Sequence, residues 1–298
     1  MAPTPEPATR RVAEEIAAAF PPLLVAADRV ASTVAQGVHG RRRVGQGETF
    51  WQYRQFAFGD SPRDIDWRRS ARSDRLFVRQ TEWEAAQSVW LWPDLTASMR
   101  YSSSRNLPEK QARAAVLSLA LASLLTRGGE RIALLDKPDA PATGRAALDR
   151  VAMTVMHAMA QDPETYEVPP IPALPRYGTV ALISDFLVEE ETLLAFLRDM
   201  AARGVRGHLL QILDPSEAHL PFRGRTRFRG LEAEGELLVG RAESLHAGYM
   251  ERLGSLQASL ATFTQRAGWS YGVHTTDTAP EPALLSLFMA MTEARAGG

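Results

Sequence analysis

The sequence predicts an α/β protein: a mainly parallel sheet flanked by helices, with a smaller β-rich segment on its N-terminal side. Three observations predict it. From residue 88 onward, apolar runs of about six residues alternate with longer segments of helical spacing, the pattern of βαβ units. The runs are apolar throughout rather than alternating, as strands buried on both faces are. Before residue 88, aromatic and β-branched residues mix with charges around turn residues, as they do in extended strands.

Taken in order, residues 1–10 are Pro-rich and predicted to be disordered. Residues 11–36 carry Ala, Leu and Val at helical spacing around Pro21 and Pro22, so two short helices, or a turn and one helix, are expected. A Gly- and Arg-rich stretch runs from Gly37 to Gly47. FWQYRQF and RLFVRQTEW read as strands, and GDSPRD between them is turn chemistry. The strands SVWLWPD, RIALLD, TVALISD, GHLLQILD and WSYGVHTT follow. Helices are expected over Leu107–Thr126, Arg145–Gln161, Glu189–Arg203, Glu243–Arg266 and Pro282–Arg295, and TRFRGLEAEGELLVG reads as a hairpin. The expected organisation is an N-terminal tail with helices (1–36), an Arg/Trp-rich β subdomain (37–86) and a large α/β domain (87–298).

Composition removes several classes. With 298 residues, 45% hydrophobic and 23% charged, the chain has the balance of a globular protein able to bury a large core without staples. The absence of cysteine excludes disulfides, thiolate zinc sites, iron–sulfur clusters and a cysteine nucleophile. A formal net charge of −1 argues against a globally basic nucleic-acid binder. Ala114–Leu125 is the longest apolar run, too short to span a membrane and interrupted by serines. The first residues lack the basic-then-apolar order of a signal peptide, so a cytoplasmic protein is expected. All but two of the 34 basic residues are arginine, an excess that the codon bias of a GC-rich genome would explain in large part, so it is not read as function by itself.

The chemistry gathers at strand ends. SVWLWPD ends at Asp94 and TVALISD at Asp185, and ligands of open α/β sheets bind outside the carboxyl ends of strands where strand order reverses. Asp94 opens an Asp-x-Thr-x-Ser run with Thr96 and Ser98. A carboxylate with two hydroxyls is a hard-oxygen set suited to Mg²⁺ or Mn²⁺, with Asp185 holding a bound water and Thr143, in the PATG loop, offering a further hydroxyl. The alternative is structural, since Asp at a strand end also caps helices and Ser and Thr are common in turns. No HExxH, no Gly-x-Ser-x-Gly elbow and no Walker loop is present, so the chain is not expected to hydrolyse ATP. No lysine is expected in the crevice. Between Arg41 and Arg79 ten arginines face five acidic residues, and five of six tryptophans lie between Trp51 and Trp92. Interleaved charges of both signs favour an ion-pair network or a protein-docking face over nucleic-acid binding.

The run from Gly40 to Arg72, GRRRVGQGETFWQYRQFAFGDSPRDIDWRRSAR, resembles the signature of the domain of unknown function 58 family. Gly45, Gly47, Phe50, Arg54, Gly59, Asp60, Arg63, Ile65, Asp66, Trp67, Ala71 and Arg72 stand at the matching positions. The part after residue 88 resembles the von Willebrand factor type A fold that accompanies this signature. The resemblance implies a bacterial or archaeal adaptor or chaperone-like protein associated with MoxR-type AAA+ ATPases, acting in assembly or maturation. It also implies a metal-ion-dependent adhesion site: Asp94, Thr96 and Ser98 match its first element, with Thr in place of the first Ser, Asp185 its second Asp, and Thr143 its loop Thr.

Three functions are therefore weighed. The leading one is a non-enzymatic adaptor whose divalent cation is completed by an acidic residue of a client. The second is a Mg²⁺-dependent phosphoryl-transfer or hydrolytic enzyme using the Asp94/Asp185 crevice. The third is a metal-free degenerate scaffold that docks partners by shape and charge.

Overall fold

A computed structural model describes residues 22–36, 50–56, 65–72, 75–81, 87–161, 168–170, 174–230 and 235–296. The Pro-rich start, the first half of the expected N-terminal helices, the Gly/Arg stretch 37–47 and the GDSPRD turn with Gly59, Asp60 and Arg63 lie outside the described residues. The chain forms two compact units, Met1–Val38 with Gln87–Gly298, and His39–Ala86.

The larger unit begins with helix α1, residues 22–36. Although the smaller unit separates it in sequence from the rest, its Ala27, Val30, Ala31 and Val34 are buried in the same core as the long helix described below. Spacings of three and four put these residues on one stripe.

The smaller unit pairs β1 (Phe50–Gln55) antiparallel with β2 (Phe77–Thr81), with an irregularity in register between Phe50 and Gln52. A single helical turn, α2 (Trp67–Ser70), lies between them. Ser70 is buried and its Oγ accepts from the Phe77 amide at 2.9 Å, while the Asp66 amide donates to the Phe77 carbonyl at 2.8 Å. Ile65 is buried, whereas Trp67 is 63% exposed with Arg68 and Arg72 exposed beside it in sequence. The Arg/Trp segment is thus neither uniformly core nor uniformly surface.

After residue 87 the larger unit resumes with β3 (Ser88–Pro93), a 3-10 turn (Ala97–Met99), α3 (Lys110–Arg127), β4 (Arg131–Leu134), α4 (Arg145–Ala160), β5 (Thr179–Ser184), α5 (Glu190–Ala202) and β6 (Arg206–Leu213). Then come α6 (Pro215–His219), the hairpin β7 (Thr226–Arg229) and β8 (Glu236–Val239), α7 (His246–Ala267), β9 (Ser270–Thr275) and α8 (Pro280–Ala296). Five strands form a parallel sheet in the order β4-β3-β5-β6-β9, and β7 with β8 makes a separate antiparallel pair. The larger unit is a helix-flanked, five-stranded parallel α/β sheet, as the sequence predicts.

Alternation along the strands divides the core in two. Val89, Leu91, Ala181 and Ile183 face the layer holding α1, α3, α4 and α8. Trp90, Trp92, Val180 and Leu182 face the layer holding α5 and α7. Burial on both faces explains the continuous apolar runs. One close approach fixes the edge: a Cβ on Gly207 would lie 2.0 Å from the Trp269 ring, whose Nε1 donates to the Val205 carbonyl at 3.1 Å. Among the described residues no helix is long and apolar enough to cross a membrane.

Candidate functional site

The chain runs from β3 outward to β4, then returns to β5 on the other side of β3. β3 and β5 therefore flank the point where strand order reverses, and the Asp94 amide donates to the Ile183 carbonyl at 2.8 Å. Asp94 and Asp185 both stand at this crevice and both are buried.

Asp94 is held by hydroxyls. Its Oδ1 accepts from the Thr96 amide at 2.9 Å and from Thr96 Oγ1 at 2.7 Å, and its Oδ2 accepts from Ser184 Oγ at 2.7 Å. Because Thr96 gives its hydroxyl proton to Asp94, the 3.1 Å contact between Thr96 Oγ1 and Ser98 Oγ is one in which Ser98 donates. Burial, with Asp185 as a neighbouring negative charge, pushes the Asp94 carboxyl up to about 6, against the pull of the three bonds it accepts.

Asp185 has a different environment. Its Oδ2 accepts from Lys110 Nζ at 2.7 Å and its Oδ1 from the Leu187 amide at 3.0 Å. Lys110, the first residue of α3, is 1% exposed and also donates to Glu217 Oε1 at 2.6 Å. The expectation of a crevice without a lysine is overturned. Burial opposes the charge of Lys110, but Asp185 and Glu217 outweigh it and raise the ammonium above its ordinary value. Glu217 is raised by burial despite Lys110. The Lys110 ammonium also lies 5.8 Å from the centre of the Tyr101 ring.

The helix α6 brings Glu217 here, and its sequence says why. Asp214 caps it, accepting from the Ser216 amide at 2.8 Å, Pro215 fills the first helical position, and Glu217 reaches back to the Asp214 amide at 2.9 Å. Asp214 also accepts from the Ser103 amide at 2.9 Å, and Tyr101 Oη meets Ser216 Oγ at 2.8 Å, so the loop after β3 is tied across to the end of β6. Burial opposes it, yet these bonds hold Asp214 below its usual range.

The structure thus brings together Asp94, Thr96, Ser98 and Asp185, and adds Ser184, Lys110, Asp214 and Glu217. It does not bring Thr143 there. Ala142 bridges antiparallel to Ile132, which is level with Val89, so Thr143 sits exposed near the amino end of the sheet while Asp94 sits at the carboxyl end. Five residue steps of strand, from Val89 to Asp94, separate the two levels, roughly 17 Å. The PATG loop precedes α4 at the wrong end, whereas the far end of α4 reaches the site: Arg100 donates to the carbonyls of Met159 and Gln161. Among the described residues no three His, Asp or Glu side chains gather as a metal cluster. Any cation here therefore relies on Asp94 with hydroxyls. Of the family-signature positions, Asp66, Trp67 and Arg72 lie in the smaller unit as described, Arg54 lies on β1, and Gly59, Asp60 and Arg63 are outside the described residues.

Comparison with known proteins bears on the whole arrangement. The family model described as "Protein of unknown function DUF58" matches residues 52–258, more than half of the chain. The chain belongs to the DUF58 family. This DUF58 match takes in every crevice residue named above and ends inside α7, before β9 and α8. The chain is 27% identical over 223 residues to the uncharacterized protein Rv1480 of Mycobacterium tuberculosis, covering 70% of this chain and 68% of that protein. The same figures hold for the uncharacterized protein Mb1516 of Mycobacterium bovis. Among solved structures, the conserved hypothetical protein BatB from Bacteroides thetaiotaomicron aligns with a TM-score of 0.40 at 14% identity, over 71% of this chain and 100% of that one.

Proposed function

We propose that this DUF58 chain is a non-enzymatic protein-interaction adaptor that holds a divalent cation, Mg²⁺ or Mn²⁺, through Asp94, Thr96 and Ser98, with an acidic residue of a client completing the shell. The observation that carries the reading is the run of three oxygens, Asp94 Oδ1, Thr96 Oγ1 and Ser98 Oγ, spaced 2.7 and 3.1 Å apart at the switch point. Octahedral Mg²⁺ with oxygens at about 2.0–2.1 Å sets neighbouring ligands about 2.9 Å apart. The environment of Asp94 supports it too: burial first, and then the nearby Asp185, raise its carboxyl, and a cation offsets both. The cation would supply an anchor for a carboxylate, and Lys110 keeps Asp185 in place from inside.

By resemblance, the ATP-driven partner is a MoxR-type AAA+ ATPase, this chain having no Walker loop of its own. The exposed Trp67, with Arg68 and Arg72, supports a docking role for the smaller unit, since Trp and Arg are the commonest interface anchors. The test is binding of the full chain to the MoxR-type ATPase of the same organism at constant Mg²⁺, which leaves the ATPase's own ion undisturbed. Asp94→Asn and Ser98→Ala are expected to weaken binding with the fold retained. Unchanged binding by both variants would refute the cation-bridged reading.

A metal-free scaffold is the second reading, and Lys110 favours it: a buried ammonium already neutralises one charge at the place where an ion would help. It predicts no response of stability or binding to divalent cations.

A further inference from the structure

Between Phe222 and Arg241 the sequence holds five arginines and three glutamates, and Arg223, Arg225, Arg227 and Arg229 fall at every second position. The hairpin β7–β8 displays them. Alternate residues of a strand share a face about 6.7 Å apart. Arg227 and Arg229 therefore stand together on one face of the ribbon, with Arg225 just before the strand, and all four arginines are exposed. Thr226 and Phe228 take the opposite face and are half-buried, Phe228 meeting Phe222 edge-to-face with ring centres 5.5 Å apart. On β8, Leu237 lies opposite Phe228 and is 60% exposed, so the apolar face is open there. The base of the ribbon is closed: the Ala242 amide donates to the Gly224 carbonyl at 2.9 Å, and the Gly224 amide to Glu243 Oε2 at 2.7 Å.

The open edge of the ribbon belongs to the same arginines. Main-chain groups of an antiparallel strand point alternately to one side and the other. The Gly230 amide donates to the Gly235 carbonyl at 2.8 Å, so Phe228 and Thr226, two and four residues earlier, also face β8. The N–H and C=O groups of Arg227 and Arg229 then face away from β8, where no further strand lies among the described residues. Such an edge is a template for one more strand. The charges are also open to a partner. Arg227 lies 3.8 Å from Glu236, between side chains 67% and 52% exposed, and Arg225 and Arg229 form no ion pair among the described residues. Glu232 and Glu234 stand in the sequence joining β7 to β8, and Glu236 opens β8. Acids interleaved with the arginines repel phosphate, so the ribbon suits a protein segment better than a nucleic acid or an anionic membrane.

We propose that the free edge of β7 binds an extended acidic segment of a partner protein, adding it as a third strand. The segment carries Glu or Asp at every second position, opposite Arg227 and Arg229, and apolar residues between them, opposite Thr226 and Phe228. Main-chain hydrogen bonds hold it, and the alternation of charge selects it. This site needs no cation at Asp94.

The experiment uses the full chain in EDTA and follows labelled peptides by fluorescence anisotropy. The probe is Glu-Val-Glu-Val-Glu-Val-Glu, beside an isomer with its glutamates in one block and a counterpart with Lys in place of Glu. The alternating acidic peptide should bind about tenfold more tightly than the blocked isomer. Arg227→Glu with Arg229→Glu should keep Tm within about 2 °C, as exposed substitutions do. That variant should bind the acidic peptide about tenfold more weakly and the Lys peptide more tightly than the wild type does. N-methylation of the glutamates in one peptide and of the valines in another should abolish binding for one set only, because only one set of amides faces β7. A double-stranded oligonucleotide and phosphatidylglycerol vesicles are the remaining probes. Equal binding of the alternating and blocked peptides, unchanged binding in the charge-reversed variant, tolerance of both methylation patterns, no binding at millimolar peptide, or tighter binding of the oligonucleotide or the vesicles than of the peptide would each overturn the inference.

Discussion

Replacing Lys110 with Met tests whether the crevice is built around its buried ion pairs. The ammonium sits 2.7 Å from Asp185 and 2.6 Å from Glu217, and Lys110 is 1% exposed. Methionine keeps most of the stem volume and removes the charge. Two carboxylates then lose their cation, and Asp185 still faces Asp94. Breaking a buried pair by removing one partner costs about 3–5 kcal/mol. For a unit of this size that lowers Tm by roughly 6–20 °C. The assay is urea unfolding at pH 7 in EDTA, followed by circular dichroism, beside the triple variant Lys110→Met/Asp185→Asn/Glu217→Gln. The triple variant is expected to recover much of the loss, because neutral amides need no cation. The single variant's deficit should shrink on acidification as its carboxylates take up protons. In the wild type the sign is fixed by a lysine whose folded pKa is raised. Its contribution is fully present below the unfolded value near 10.5 and is lost as pH rises through the folded one. A deficit below about 1 kcal/mol at pH 7, the scale of an exposed pair, would refute the reasoning.

Gly207→Ala places a Cβ against the Trp269 ring, and an overpacking cost of about 1–3 kcal/mol is expected in chemical denaturation; a neutral result would mean that the ring moves freely. His274, with its folded pKa depressed from 6.5 to about 4, loses stability as pH falls through that window, roughly 3 kcal/mol in total. The stability of His274→Asn minus that of the wild type should therefore rise between pH 6.5 and 4, and a constant offset would contradict the assignment. Subtracting cancels Asp94, which works in the opposite direction because its folded pKa is raised to about 6. Trp67→Ala should leave the melting temperature within about 2 °C of wild type, as a surface substitution does, while weakening partner binding in calorimetry; a large loss of stability would mark Trp67 as structural.

The strands were legible because burial on both faces leaves continuous apolar runs, and two of their terminal aspartates marked the crevice. A third, Asp214, was equally visible at the end of GHLLQILD, and Asp-Pro-Ser-Glu spells the cap and return contact of α6. That motif is the signal that would have brought Glu217 into the site. Lys110 had no such signal. A lysine in the first turn of a helix ordinarily faces solvent, and its burial depends on carboxylates 75 and 107 residues away. Thr143 was misplaced because one antiparallel bridge, Ala142 to Ile132, turns the chain toward the amino end of the sheet, and a single bridge leaves no periodicity to read. The packing of α1 against the core of α3 was hidden for a related reason: an amphipathic stripe shows which face is buried, not against what.

The most direct test of a cation at Asp94 is thermal unfolding of the full chain in EDTA, Mg²⁺ and Mn²⁺ at pH 7.5, beside Asp94→Asn and Ser98→Ala. An ion at about 100 times its dissociation constant adds roughly 2.7 kcal/mol. The account predicts a rise in Tm of several degrees with metal in the wild type, and none in either variant. The same Tm in EDTA and in millimolar Mg²⁺ and Mn²⁺, or an equal rise in the variants, would contradict it.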